Sequence, residues 1–428
     1  MTLPLDHPQR FELHDEVHAR PPEALTAPTR LSFLALYSNL ASRDQEHALV
    51  TELAARCGKP GPAPGASHFS ADLGPYRLKW ERHTEFTRYK FIIEAGFDDP
   101  FAEPAVAAVP AEWLAKLPGQ TLVATHVALL PRGPQPDPDA LSRRLFGGNA
   151  LVGAQVAGGA GYAFTDFRVH GDGFSRLLVQ DGGMTRRQAG RMIQRLLEID
   201  SYRMLALLAL PVARALTPFL NRCEGELAEI TAAMAISHEQ EEPRLLDRLT
   251  RLQADIERRH AENHYRFTAA AAYYDLVQRR ITELREERIQ GLQTFQEFME
   301  RRLAPAMHTC VTASDRQGSL SQRVARASQL LSTRVEIARQ RQNQAVLESM
   351  NRRAKLQLRL QQTVEGLSVA AITYYVVGLV GYAAKGLKAA GVALDPDLVM
   401  GASIPLVAGL IFLGVRRVRR MVSRSPEP

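Results

Sequence analysis

The sequence predicts an α+β cytoplasmic domain followed by long coiled-coil-like helices and a C-terminal two-helix transmembrane hairpin. Three observations carry that reading. Apolar residues alternate in short runs up to about residue 182, and from residue 185 their period lengthens to about 3.6. Two charge-poor apolar runs, Val364–Ala384 and Leu398–Val415, then come near the end of the chain. The expected segments are 1–182 (α+β domain), 185–303 (helical domain), 320–363 (stalk helix), 364–415 (transmembrane hairpin) and 416–428 (basic tail).

In the first segment, Arg30–Ser38 reads as a strand, and Arg43–Cys57 as an amphipathic helix closed by Gly58 and a Pro/Gly loop. His68–Leu73, Tyr76–His83 and Thr87–Ala95 are aromatic and β-branched enough to be successive strands. Asp98–Pro118 is expected to be a loop with a short helical turn, and Thr121–Leu130 a strand. Ala150–Val156 and Tyr162–Val169 flank Gly158-Gly159-Ala160-Gly161, which reads as a hairpin turn. A phosphate-cradling loop would need a helix after the glycines, and another strand follows instead. Ser175–Gln180 is the last expected strand.

Arg187–Leu216 is expected to be an apolar helix lying on the sheet, with Pro211 late in it. From Arg244 to Leu303, apolar residues recur at threes and fours, the pattern of a coiled-coil-like helix. Ala304–Ser319, with Pro305 and Gly318, is expected to turn. A second long pattern from Leu320 enters the first apolar run without a break, and one helix there would be about 95 Å long. Its apolar stripe calls for partners, either the preceding helix or copies of itself.

Crossing about 30 Å of hydrocarbon takes about 20 apolar residues, which both runs approach. Arg352, Arg353, Lys355 and Arg359 precede the first run, and Arg416, Arg417, Arg419, Arg420 and Arg424 follow the second. Lys385 and Lys388 in the connecting loop are balanced by Asp395 and Asp397. The positive-inside rule puts both outer flanks, and so both termini, in the cytoplasm. The expected location is a bacterial inner membrane. Arg352, Arg353, Arg416, Arg417, Arg419 and Arg420 are then candidates for contact with lipid headgroups. The competing reading is a pair of helices buried in a soluble core.

The formal charge of +7 is concentrated in arginines toward the C-terminal half. Attraction to anionic lipid fits that position better than nucleic-acid binding, which is not expected. Three cysteines without CxxC spacing argue against a disulfide framework and against a zinc cluster. The first residues lack an apolar core of signal-peptide length.

Few constellations carry chemistry. His14, Glu16 and His18 share a face on a strand, and His14 and His18 share one on a helix. Histidine with carboxylate is a metal-ligand set, although the spacing is not that of HExxH. The competing reading is a polar segment that docks or caps, pairing with Arg10 and Arg20. Asp166, His170 and Asp172 cluster near a turn and read as a small polar site or a solvated loop. Tyr375, Gly378, Tyr382 and Lys385 fall on one face of the first apolar run, either lining a path or packing helices. No catalytic set and no cofactor is readable, so a non-enzymatic role is favoured.

The segments HPQRFELHDEVHARPPEAL and RVEIARQRQNQAVLESMNRRAKLQLRLQQTVEGLSVAAITYYVVGLVGY, together with the basic tail, resemble domain of unknown function 3422. That is a bacterial family of predicted membrane-anchored proteins. The resemblance runs along essentially the whole chain and implies location and topology but no activity. In element order the chain is also similar to CorA-type magnesium channels. Their Gly-Met-Asn motif is replaced here by Gly381-Tyr382-Ala383-Ala384-Lys385, which removes the implied magnesium selectivity. The expected role is a self-associating scaffold or sensor on the membrane's cytoplasmic face, with the lipid bilayer and copies of itself as partners. The alternative is a CorA-shaped oligomeric ion channel or transporter.

Overall fold

The computed structural model describes residues 5–11, 13–14, 21–38, 40–391, 393 and 395–422. They fall into two compact units: Met1–Ile236 with Arg244–Ser328, and Ser237–Pro243 with Gln329–Pro428.

The first unit is built on β1 (Thr29–Tyr37), α1 (Arg43–Arg56), β2 (His68–Asp72), β3 (Arg77–Arg82), β4 (Phe86–Ile93), α2 (Ala111–Leu114), β5 (Gln120–Leu130), α3 (Pro138–Leu145), β6 (Val152–Val156), β7 (Gly161–Thr165) and β8 (Ser175–Asp181). It continues with α4 (Arg186–Leu207), α5 (Ala209–Ile236), α6 (Glu242–Leu284), β9 (Glu287–Arg288), α7 (Phe295–Arg302) and the start of α8 (Ala304–Ala389). The strands form one sheet in the order β2-β3-β4-β1-β5-β8-β7-β6-β9. Every pairing of neighbouring strands is antiparallel except β5 with β8, where Thr125 lies opposite Ser175.

Alternation along the strands assigns side chains to two faces. One face carries Leu34, Leu36, Leu78, Trp80, Tyr89 and Phe91, which pack with Leu49, Val50 and Leu53 of α1 and with Trp113. Trp113 Nε1 donates to the Leu49 carbonyl at 2.8 Å, so the indole is both buried and satisfied. A second core near β5, β7 and β8 gathers Ala128, Leu145, Phe146, Phe164 and Leu178. Helix α4 covers the opposite face. Its N-terminus is fixed by a reciprocal cap between Thr185 and Gln188, and Thr125 Oγ1 donates to its Asp200 at 2.9 Å.

Gly190 on α4 answers to a close approach. A Cβ there would lie 1.6 Å from the Glu23 carbonyl oxygen, so only glycine admits the extended segment that crosses the helix. Leu25 N donates to the Arg186 carbonyl at 3.1 Å, and Glu23 meets Arg77 at 3.2 Å.

Helices α5, α6 and the first part of α8 form an apolar layer of their own. Leu220, Cys223, Leu227 and Ile230 are buried on α5, Leu249, Leu252 and Ile256 on α6, and Cys310, Ala313, Leu320 and Val324 on α8. Arg316 pairs with Glu224 at 2.9 Å across the layer.

The helical part differs from the sequence expectation in three places. The expected helix Arg187–Leu216 is divided: α4 stops at Leu207 and α5 starts at Ala209, with Pro211 in its first turn, where a missing N–H costs least. The expected unbroken helix Arg244–Leu303 stops at Leu284, after which Arg285 takes a left-handed conformation and β9 joins the sheet edge beside β6. Residues 304–319, expected to turn, are helical. Pro305 falls in the first turn of α8, and burial of Met307, Cys310, Ala313, Gln317 and Leu320 outweighs the ~1 kcal/mol that Gly318 costs.

In the second unit, α8 continues from Gln329 to Ala389, and α9 (Pro396–Val422) follows a short loop. Glu242, the first residue of α6, pairs with Arg334 at 2.9 Å.

Candidate functional site

Among the described residues, three helical stretches are long and apolar enough to cross a membrane: Arg186–Ile236, Phe295–Ala389 and Pro396–Val418. They differ in what covers them. In the most apolar window, 39% of the first stretch is buried inside the protein, against 17% and 0% for the other two. The first is α4, on the sheet, followed by α5, with Leu196, Leu197, Leu205 and Leu216 in the core. The ends of α8 and α9 instead expose Leu367, Tyr375, Leu379, Leu406, Leu410 and Phe412.

The two apolar helices enclose a groove of about 1050 Å³. Tyr375, Gly378 and Tyr382 line it from α8, and Met400, Gly401 and Ile404 from α9. Lys385, expected on the same face, is not among its lining residues. Gly381 is the point of close approach, where a Cβ would lie 2.7 Å from Met400 Sδ. Gly378 differs: a Cβ there meets nothing within 4 Å. Arg352 and Arg353 are exposed on α8, and Arg416 and Arg417 on α9. Arg419 and Arg420 are on α9, but their side chains lie outside those described.

His14 is helical and exposed, while Glu16 and His18 lie outside the described residues. Among the described residues, no group of three His, Cys, Asp or Glu is arranged to hold a metal ion. The Gly158–Gly161 turn joins β6 to β7, and its entry is tied to the end of α6. Ala157 N donates to the Leu284 carbonyl at 2.8 Å and Gly158 N to the Arg285 carbonyl at 3.3 Å, closing the end of α6.

The turn after β7 organises more than its sequence suggests. The Asp166 carboxylate is buried and accepts from Asn149 Nδ2 at 2.9 Å and from Arg168 N at 3.1 Å, with His170 Nε2 3.0 Å away. Asp172 reaches toward a different histidine, with its Oδ2 3.7 Å from His126 Nε2 on β5. His126 stacks on Phe174 at 3.9 Å, and its Nδ1 is 2.9 Å from Ser32 Oγ. Ser32 Oγ accepts from Val106 N at 3.0 Å, which leaves its own proton to donate to Nδ1. Burial drives the His126 pKa down to about 4, against the pull of Asp172. The Ser-His-Asp order invites comparison with a hydrolase triad. Ser32 is 0% exposed and committed to a backbone amide, so this set fixes strands β1 and β5 to the turn and attacks nothing.

Sequence reasoning missed a buried charge centre. On β3 and β4 the alternate residues Lys79, Glu81, Arg88 and Lys90 are all buried. Glu81 lies 3.1 Å from Lys79 and 3.4 Å from Lys90. Burial penalises its charge, but Lys90, Lys79 and Arg88 together outweigh that and hold its pKa at about 2. Burial pushes the Lys90 ammonium down, against Glu81. Glu198 of α4 faces Arg88 at 3.7 Å and is bonded by Arg280 of α6, so the covering helices bring the matching charges. The signal available in the sequence was Glu198 standing directly among Leu196, Leu197 and Ile199.

No curated protein and no solved structure matches the chain, so the CorA likeness rests on element order alone. One comparison does match. The model of a family described as protein of unknown function (DUF3422) covers residues 5–422, nearly the whole chain, and the protein belongs to that family.

Proposed function

We propose that the protein is a self-associating scaffold anchored in a bacterial inner membrane. The ends of α8 and α9 span the bilayer as a hairpin, and the sheet unit lies on the cytoplasmic side. The observation that carries the reading is the contrast in covering: the apolar window of α9 is 0% buried, whereas that of α4–α5 packs into the core. An exposed apolar surface of this extent needs lipid or protein around it. The arginines beside each span suit anionic headgroups and the positive-inside rule. Self-association is supported by Gly378, whose open flank on the groove leaves room for a helix of another copy, and by exposed Val346, Leu347 and Met350 on α8.

The test is the subunit count of the full chain, purified in mild detergent and weighed by native mass spectrometry. The expected result is an oligomer that Gly378→Leu reduces to monomer with its helix content by circular dichroism unchanged, because a Cβ at that position meets nothing within 4 Å. A monomeric wild type, or an unchanged count in the variant, would contradict it. A second reading, an oligomeric conduction path, draws on the groove shared by Tyr375, Gly378 and Tyr382. Ion flux in vesicles that disappears with the oligomer would favour it. Lys385 and Lys388 nearby disfavour a cation.

A further inference from the structure

The turn between β3 and β4, the start of α1, and helices α4 and α6 line an open cavity of about 490 Å³ in the sheet unit. Its size falls within the range of small-molecule sites. Its walls have two chemistries. Arg43, Arg82, Ser67 and Thr84 supply polar groups, and Phe86, Tyr202 and Tyr273 supply aromatic ones. Among the described residues, no carboxylate lines it.

The cations are available. Arg82 donates to the Arg43 carbonyl at 3.4 Å and the Ala66 carbonyl at 3.2 Å, with its guanidinium 5.5 Å from the Trp80 ring. Among the described residues, neither Arg82 nor Arg43 has a carboxylate within ion-pair distance. Arg43 opens α1, whose first turn also carries Asp44 and Glu46. Behind the aromatic wall, the buried Arg88 guanidinium lies 5.0 Å from the Phe86 ring and 5.1 Å from the Tyr202 ring.

The aromatic wall is ordered. Tyr202 and Tyr273 stack with centroids 5.7 Å apart, and Phe86 meets both edge-on. His83 stacks on Phe86 at 4.4 Å. Arg82 also shares its charge with the buried Glu46 carboxylate beside it, so the polar wall keeps a cation held in place. A ligand with a flat ring and a negative group satisfies both walls, through stacking and charge-assisted hydrogen bonds.

We propose that this cavity binds a small anion carrying a planar ring, with Arg43 and Arg82 holding the anion and Tyr202 and Tyr273 the ring. Nothing in the site depends on the apolar helices. Two sources share this chemistry, a nucleoside phosphate and an aromatic carboxylate, and the experiment separates them.

The full chain in detergent is titrated calorimetrically with adenosine 5′-monophosphate and with 4-hydroxybenzoate, alongside adenosine and inorganic phosphate. The expected result is saturable binding of one ring anion at least tenfold tighter than adenosine or phosphate. Arg43→Gln and Arg82→Gln should each weaken it about tenfold or more, and Arg82→Lys less. Arg43→Gln guards against a folding artefact, since its guanidinium has no carboxylate to abandon. Absence of binding by both ring anions, or binding that both glutamine variants leave unchanged, would overturn the proposal.

Discussion

His126 shows how one buried residue makes stability depend on pH. Its ordinary value is 6.5 and the folded chain holds it down to about 4, so the unfolded chain takes up the proton first on acidification. Folding is then favoured in full above pH 6.5, and that contribution fades as pH falls toward 4. A shift of this size corresponds to about 3 kcal/mol across the window. Unfolding by denaturant at pH 8, 6 and 4 should show wild-type stability falling by that order relative to His126→Leu. The variant should be weaker at pH 8, where Ser32 loses its acceptor. Parallel pH profiles for the two proteins would show that His126 titrates elsewhere. Neither Ser32 nor Asp172 could be joined to His126 from sequence, because β1, β5 and the turn meet only through the sheet order.

At the scale of elements, the strands were legible because the face that meets α1 alternates cleanly, as in Leu78 and Trp80 or Tyr89 and Phe91. The charged alternate positions concealed a second covered face. Long helices were legible as to type but not as to ends. The break after Leu284 is written locally as Gly291 followed by Thr294-Phe295-Gln296-Glu297, a capping box that periodicity alone overrides. In the structure Thr294 Oγ1 accepts from Glu297 N at 3.2 Å, while Glu286 accepts from Phe295 N and Gln296 N at 2.9 Å each. Thr294→Ala should therefore lower stability by about 1 kcal/mol and speed hydrogen exchange of the Glu297 amide, read by exchange mass spectrometry. Unchanged protection at α7 would mean that Glu286 alone holds the helix start.

At the scale of the molecule, composition separated two kinds of apolar helix only in part. Both Arg186–Ile236 and Pro396–Val418 satisfy the length and hydropathy of a membrane span, and only packing tells them apart. Glu198, which faces Arg88, and Asp200, which accepts from Thr125, mark the first as a helix that meets polar groups on a sheet, and no such residue interrupts α9 between Leu398 and Val415. The candidate sites were legible in the same uneven way. The faces of α8 follow from a 3.6-residue period, whereas the arginine-and-tyrosine cavity assembles residues from Arg43 to Leu276, which no spacing rule connects. The central claim is that the hairpin crosses the bilayer with both flanks inside. Its most direct test is cysteine labelling of intact cells with a membrane-impermeant maleimide, using Ala390→Cys in the connecting loop and Arg417→Cys after α9. The account predicts that Cys at 390 is labelled from outside, and that Cys at 417 reacts only after the membrane is opened. Equal labelling of the two positions, or protection of both in sealed cells, would contradict it.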